Sequence, residues 1–361
     1  MTACDDCLRR TDLIAAIAGR LQVEFKRRDA PARVLALSDA ELLDVGASAE
    51  VRRRYRGFDA PAARARAGAA GLRVLCGCDA AYPSRLTDLA DPPAALHVLG
   101  SVAALAAADG VAVVGARRAS AYGLDVAHAL GRGLSAAGVP VVSGLALGID
   151  SAAHAGALEG PAPPIAVLAG SAHVAYPARG LTLHRAVAER GAVVSELPPG
   201  ASPHRWTFVA RNRIIAALSA LTVVVQATDR SGSLTTADFA ADLGRGVAAL
   251  PGPVTTRLSE GTHRLIQAGA PLVTGTGDVL ELLAGVAGRE HAAPSPPRAA
   301  PPPLDPPLAR LLAAVERGSG ALDELAASPQ DARAALAGLS ELERRGLVRR
   351  GFSGRWEPAA R

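Results

Sequence analysis

The chain has 361 residues, 49% hydrophobic, 3% aromatic and 20% charged, with a formal net charge of +5. That length allows more than one domain and a large core, and the Ala/Val/Leu-driven hydrophobicity fits helix–sheet packing. The basic side is almost wholly arginine, Lys26 being the only lysine, and so mild an excess assists binding to a polyanion without establishing it.

The first twenty residues carry Asp5, Asp6, Arg9, Arg10 and Asp12, which is not the unbroken apolar core of a signal peptide. Ala-rich stretches are interrupted by charge or glycine well before the ~20 residues that a membrane span requires. The expectation is a cytoplasmic protein with no membrane contact.

In chain order, residues 1–73 show helical periodicity, as in Leu13-Ile14-Ala-Ala-Ile17 and Leu35-Ala-Leu37 followed by Leu42-Leu43, with little strand signal. They predict a small helical domain. A connecting piece around Tyr82–Pro93 leads into residues 74–287, where one phrase recurs: a β-branched run, a turn of Gly, Ser or Pro, then a helix-like stretch. The runs are Val111–Gly115, Val139–Gly144, Ile165–Ala169, Ala192–Glu196 and Thr222–Gln226. Apolar on both pleat faces, they read as strands buried between helices in a Rossmann-like parallel sheet.

Prolines crowd residues 292–307, so 288–304 reads as an extended linker. Residues 305–361 follow with three predicted helices, Leu308–Val315, Leu322–Ala327 and Gln330–Gly346, and two short strands between Leu347 and Trp356. Three helices and a hairpin describe a winged helix. The third helix sets Arg333 against Glu341 and Glu343, which suits protein contact at least as well as a DNA groove.

Ligands of a doubly wound sheet sit at the carboxyl ends of its strands. The turn after the first run, Gly115-Ala-Arg117-Arg-Ala-Ser120, lacks the Gly-x-Gly-x-x-Gly of a dinucleotide loop, so NAD loses its support and no cofactor is expected. In its place Arg117 and Ser120 precede a helix start, where free amides and a guanidinium suit a phosphate. A second cationic cluster, Arg205-Trp-Thr-Phe208-Val-Ala-Arg211-Asn212-Arg213, puts three arginines and two aromatics in nine residues with no acid. Guanidinium groups on phosphates with rings under bases is how unpaired strands are commonly gripped. Trp206 reads equally well as core. A third element, Ser231-Gly232-Ser233, opens another helix with hydroxyls and amides. Each cradle alone is weak, since such residues also make ordinary turns and caps.

Together with Ser143-Gly-Leu-Ala-Leu-Gly148-Ile-Asp150-Ser-Ala-Ala-His154, Tyr176-Pro177, Ser195-Glu196, Pro251-Gly252 and Gly261-Thr-His-Arg-Leu-Ile266, these phrases run in one order over residues 75 to 283. In that order they resemble the DNA-processing protein A family (DprA, also called Smf). The resemblance implies a Rossmann-like domain flanked by an amino-terminal helical domain of the SAM or helix-hairpin-helix kind and a carboxy-terminal winged helix. It implies binding of single-stranded DNA without sequence preference, loading of the RecA recombinase in natural transformation, a homodimer, and no enzymatic activity. It assigns DNA contact to Gly115, Arg117, Ser120, Ser143, Gly144, Phe208, Arg211, Asn212, Arg213, Ser231, Gly232 and Ser233. The chain departs from the family pattern at Ser171 and His173, where a second glycine and an acid are usual, and a non-glycine there narrows the pocket if positive φ is wanted.

Two catalytic readings compete. Asp150 and His154 lie one helical turn apart near Ser143, but no Gly-x-Ser-x-Gly elbow accompanies them, and the pair reads as a cap and packing contact. A nucleotide phosphoribohydrolase-like enzyme would place similar turns at the sheet edge, but after Ser231-Gly-Ser-Leu-Thr235-Thr the next helix offers Asp238 and no Glu. The cysteines come as Cys4-x-x-Cys7 and Cys76-x-Cys78. Zinc would need all four around one tetrahedron, and the Cys-x-Cys half is tighter than usual knuckles, so reduced thiols without metal are expected.

Overall fold

A computed structural model describes residues 3–21, 34–106, 109–287, 304–326, 328–351 and 354–359. The chain divides into two compact units, 1–290 and 291–361.

The five predicted runs are neighbouring strands of one eight-stranded sheet. Its strands are β1 (Arg73–Cys76), β2 (Ala95–Gly100), β3 (Gly110–Val114), β4 (Val141–Ser143), β5 (Ile165–Val167), β6 (Ala192–Ser195), β7 (Ser219–Val224) and β8 (Gly246–Ala249). The order is β1-β2-β6-β5-β4-β3-β7-β8, parallel from β6 to β8 and antiparallel where β1 and β2 extend the β6 edge. The chain therefore winds from β3 outward to β6, then crosses back to place β7 on the other side of β3. That reversal opens a crevice at the carboxyl ends of β3 and β7.

Alternation along β3 explains the layering. Ala112 and Val114 enter one core with Ile214, Ile215, Leu234 and Ala237. Val111 and Val113 enter another with Leu130, Leu134, Ile149 and Leu283. Each strand thus feeds a core on both faces, and helices Arg205–Ala217 and Leu234–Asp242 cover one while Ala121–Ala136, Ile149–Ala157 and Thr276–Ala287 cover the other.

Toward the amino terminus, helices Asp5–Ala16, Asp39–Gly46, Ala49–Arg56 and Ala60–Ala69 form, three of them capped by Ser38, Ser48 or Asp59 side chains that accept from the first turn. Leu13, Ile14, Ile17 and Leu42 share a core with Trp206 and Ala210.

The second unit has helices Pro306–Glu316, Leu322–Leu325 and Pro329–Arg344 and an antiparallel pair, β9 (Val348–Arg350) with β10 (Trp356–Pro358), around Val315, Leu339, Leu342 and Val348. The expected linker, 288–304, lies almost entirely outside the described residues. Among the described residues no helix is long and apolar enough to cross a membrane.

Candidate nucleic-acid interface

The crevice between β3 and β7 is a cleft of about 850 Å³. Its walls come from the turn Gly115–Arg118, the cleft-facing side of the helix Arg205–Ala217, and the turn Arg230–Ser233. Arg117, Arg118, Arg205 and Arg230 are exposed at it. The Arg117 guanidinium carbon stands 4.7 Å from the centre of the Phe208 ring, and the Tyr176 ring lies 5.6 Å from that ring, tilted by 49°. A cation over a ring face is attracted to its quadrupole, so Phe208 holds Arg117 in place without neutralising it. Phe208 is half-buried and Tyr176 exposed, which leaves a wet edge of aromatic surface beside the charge.

The helix Arg205–Ala217 sorts its residues by the helical period. Arg205, Phe208, Val209 and Asn212 face the cleft, whereas Trp206, Ala210 and Arg213 face inward. Trp206 is core, its indole N–H donating to the Ala18 carbonyl at 2.9 Å. Arg213 has no exposed side-chain surface. Its Nε donates to Asp91 at 2.9 Å and its Nη2 to Glu196 at 2.8 Å. The structure therefore does not bring Arg213 to the cleft with the other predicted contacts; it ties this helix to two buried carboxylates.

Arg211 lines the cleft floor but is 7% exposed, and its Nη1 donates to the carbonyls of Gly144 and Val167 at 2.8 and 2.5 Å. Its Nε donates to Asn212 Oδ1 at 3.0 Å, and Asp150 stands 3.7 Å from Nη2. Burial raises the Asp150 carboxyl and lowers the Arg211 guanidinium, each opposed by the other's charge. The guanidinium knits the ends of β4 and β5 to the helix. Gly144 is required for this, because a Cβ there would overlap the guanidinium. Asn212 in turn donates to the Gly232 carbonyl at 3.0 Å and to Thr235 Oγ1 at 2.8 Å, which fixes the Ser231–Ser233 turn.

The remaining predicted residues divide in the same way. Ser231 and Ser233 line the cleft with their hydroxyls 2.8 Å apart. Gly115 lines it as backbone, and a Cβ there would meet Ile149 and the Gln226 carbonyl. Ser120 is a cap: its Oγ accepts from the Gly123 N–H at 3.2 Å and from Gln226 Nε2 at 2.8 Å. Ser143 is buried and donates to the Val113 carbonyl at 2.7 Å, joining β4 to β3. Cleft residues outside the predicted set include Tyr176, Arg118, Arg205 and Arg230. The period of the helix announces Arg205, since it lies three residues before Phe208. Tyr176 arrives from a loop after β5, where the Tyr176-Pro177 phrase marks the position without assigning it to the cleft.

At the Ser171/His173 departure no positive φ is needed, for Leu145 at +50° is the only non-glycine with one among the described residues. Ser171 Oγ instead meets His173 Nδ1 at 2.8 Å. His154 and Asp150 do not form a triad with Ser143, whose hydroxyl is committed to β3. Burial pushes the His154 imidazole down to about 4.

A mostly parallel sheet covered by helices on both faces, with a guanidinium-rimmed, ring-lined cleft at its switch point, defines a doubly wound α/β protein. Residues 73–284 match the family described as DNA recombination-mediator protein A, and the chain belongs to that family. It is 44% identical over 217 residues to a putative DNA processing protein DprA of Mycobacterium tuberculosis, an alignment covering 60% of this chain and 55% of that one. With protein Smf of Escherichia coli it shares 44% identity over 203 residues, 56% of this chain and 54% of the other. The chain thus spans about half the length of these curated relatives. Among solved structures, DNA processing protein A from Streptococcus pneumoniae superposes with a TM-score of 0.62 at 32% identity, covering 78% of this chain and 98% of that one. DNA processing protein A from Helicobacter pylori, described for its unique single-stranded DNA binding mode, gives 0.54 at 28% identity, covering 60% and 98%.

Proposed function

We propose that this protein binds single-stranded DNA, without sequence preference, in the cleft between β3 and β7, and that it delivers the strand to the RecA recombinase in transformation or recombination. The observation that carries the reading is the Arg117–Phe208 stack with Tyr176 beside it, in a cleft exposed to three further arginines. Guanidinium groups neutralise phosphates of any sequence, and every base has a face that a ring can stack on, so the pairing grips a strand without reading it. Membership of a recombination-mediator family and the strand-binding relative from Helicobacter pylori support the ligand. Direct contact falls to Arg117, Phe208, Ser231, Gly232, Ser233 and the Gly115 backbone. Arg211, Asn212, Ser143, Gly144 and Ser120 shape the cleft around them, and Arg213 anchors the helix that carries Phe208.

The same reading makes the working form a cytoplasmic homodimer with no enzymatic role, and takes 305–361 as a winged helix for protein contact. A nucleotide-hydrolysing alternative needs a carboxylate free to act in the cleft. Asp150 is committed to the Gly144 N–H and Arg211, and Asp238 is not among the residues lining it.

Fluorescence anisotropy with labelled oligonucleotides tests the proposal. If the four exposed arginines at the cleft each meet a phosphate, the log–log slope of affinity against salt is about −3, at about −0.7 per contact. Arg117→Ala is expected to weaken binding and flatten the slope by about one contact. Phe208→Ala should weaken binding by about 1–3 kcal/mol with the slope little changed. Unaltered affinity in both variants would remove the cleft from the function, as would release of free base from adenosine monophosphate by the wild type.

A further inference from the structure

The fold brings together two cysteine pairs that the sequence holds about seventy residues apart. Cys4 is the residue before the helix Asp5–Ala16 and Cys7 lies in its first turn. Cys76 ends β1 and Cys78 sits in the turn that follows. All four Sγ atoms lie within 4.8 Å of one another, and Cys4 Sγ is 3.9 Å from Cys78 Sγ. We propose that Cys4, Cys7, Cys76 and Cys78 bind one zinc ion, which fastens the amino-terminal helix to the outer strand of the sheet.

Geometry favours a metal over a disulfide. Zinc–thiolate bonds of about 2.3 Å directed at tetrahedral corners separate the sulfurs by about 3.8 Å, whereas a disulfide requires about 2.05 Å. The Cys4–Cys78 spacing matches the former. Four protein sulfurs and no open position are the composition of a structural site, not a catalytic one.

The backbone sets the ligand positions. Both Cys4 and Cys7 sit at the amino end of a twelve-residue helix, where the backbone dipole favours negative charge, while burial acts against it at Cys7. The Cys4 N–H donates to Cys76 Sγ at 3.4 Å, and the Cys76 N–H donates to Asp79 Oδ2 at 3.0 Å, so ligand loop and strand end are already held by the backbone. Arg64 donates to the Ala3 carbonyl at 2.8 Å and pairs with Asp5, which ties the segment around Cys4 to the helix Ala60–Ala69.

A staple is also what this corner lacks. The apolar cluster here buries only Ala3, Leu8 and Cys76 fully, with Phe58 and Val74 packed against them. Such a cluster offers little hydrophobic holding power, and a metal joining residues this far apart in sequence supplies it by closing a long loop.

The test uses the full-length chain, produced in zinc-supplemented medium and purified under reducing conditions without chelator. Elemental analysis should find one zinc per chain, and replacement by cobalt should give the intense visible bands and thiolate charge-transfer absorption of a tetrahedral sulfur site. Cys4→Ser and Cys78→Ser should each lose most of the metal, and a strong zinc chelator should lower the melting temperature of the wild type while leaving oligonucleotide anisotropy at low temperature in place. The cobalt spectrum is read on the wild type, so it stands even if a serine variant fails to fold. Four titratable thiols with no zinc after incubation with it, disulfides in the reduced preparation, an octahedral cobalt spectrum, or full zinc retention in both serine variants would overturn the assignment. None of these outcomes depends on what the cleft binds.

Discussion

Arginine does three jobs along one helix and the turn after β3 that faces it, and burial decides which. Arg117 is exposed and rests on a ring, Arg211 is spent on backbone carbonyls, and Arg213 is enclosed between two carboxylates. The sequence cluster shows the charges but not their directions. Helical spacing does separate Trp206, Ala210 and Arg213 on one face from Arg205, Phe208 and Asn212 on another, without saying which face is buried. What the chain cannot display is Asp91 and Glu196, which meet Arg213 from distant segments. Arg213→Ala should therefore destabilise the fold by about 3–5 kcal/mol, since it strands buried carboxylates. Arg117→Ala should shift stability by less than about 0.5 kcal/mol, as exposed substitutions do. Urea denaturation of both variants checks the contrast; equal stabilities would show that Arg213 is not the anchor described.

Elements are legible in proportion to their hydrophobic run. The five β-branched runs are β3 to β7, because a strand buried on both faces has nothing but apolar residues to display. β1, β2 and β8 lack that signal: β8 is Gly-Val-Ala-Ala, and β2 carries the buried His97 in mid-strand. Helix contacts are harder still to read. The helices Ala121–Ala136 and Ile149–Ala157 approach so closely that a Cβ at Gly131 would overlap the Ala153 carbonyl, and one at Gly156 the His128 carbonyl. Alanine ordinarily favours a helix over glycine by about 1 kcal/mol. Here overpacking of about 1–3 kcal/mol opposes it. Gly131→Ala should therefore lower the melting temperature despite its better propensity, whereas Gly138→Ala is penalised by its φ of +78° alone, with open space around it. A Gly131→Ala variant as stable as the wild type would mean that the helices can part freely.

Across the whole molecule, burial of neutral imidazoles makes folding depend on pH. His97 in β2 and His154 beneath the cleft are each pushed down to about 4, from an ordinary 6.5, by burial. Between those values the unfolded chain takes up protons that the folded chain refuses, so stability falls as pH drops through this window and is flat in these groups above it. Each unit of separation is worth about 1.4 kcal/mol per group. Asp91 and Asp150 work in the opposite sense, because burial raises their carboxyls and the folded state then holds protons the unfolded one releases. The imidazole share is isolated by comparing wild type with His154→Leu in urea titrations at pH 7, 6 and 5. The wild type should lose more stability between pH 7 and 5 than the variant does, because a leucine side chain has no proton to refuse. If the two curves run parallel, the ring of His154 is reaching protons in the folded state, and the sealed environment beneath the Gly144 turn is not as closed as its burial implies.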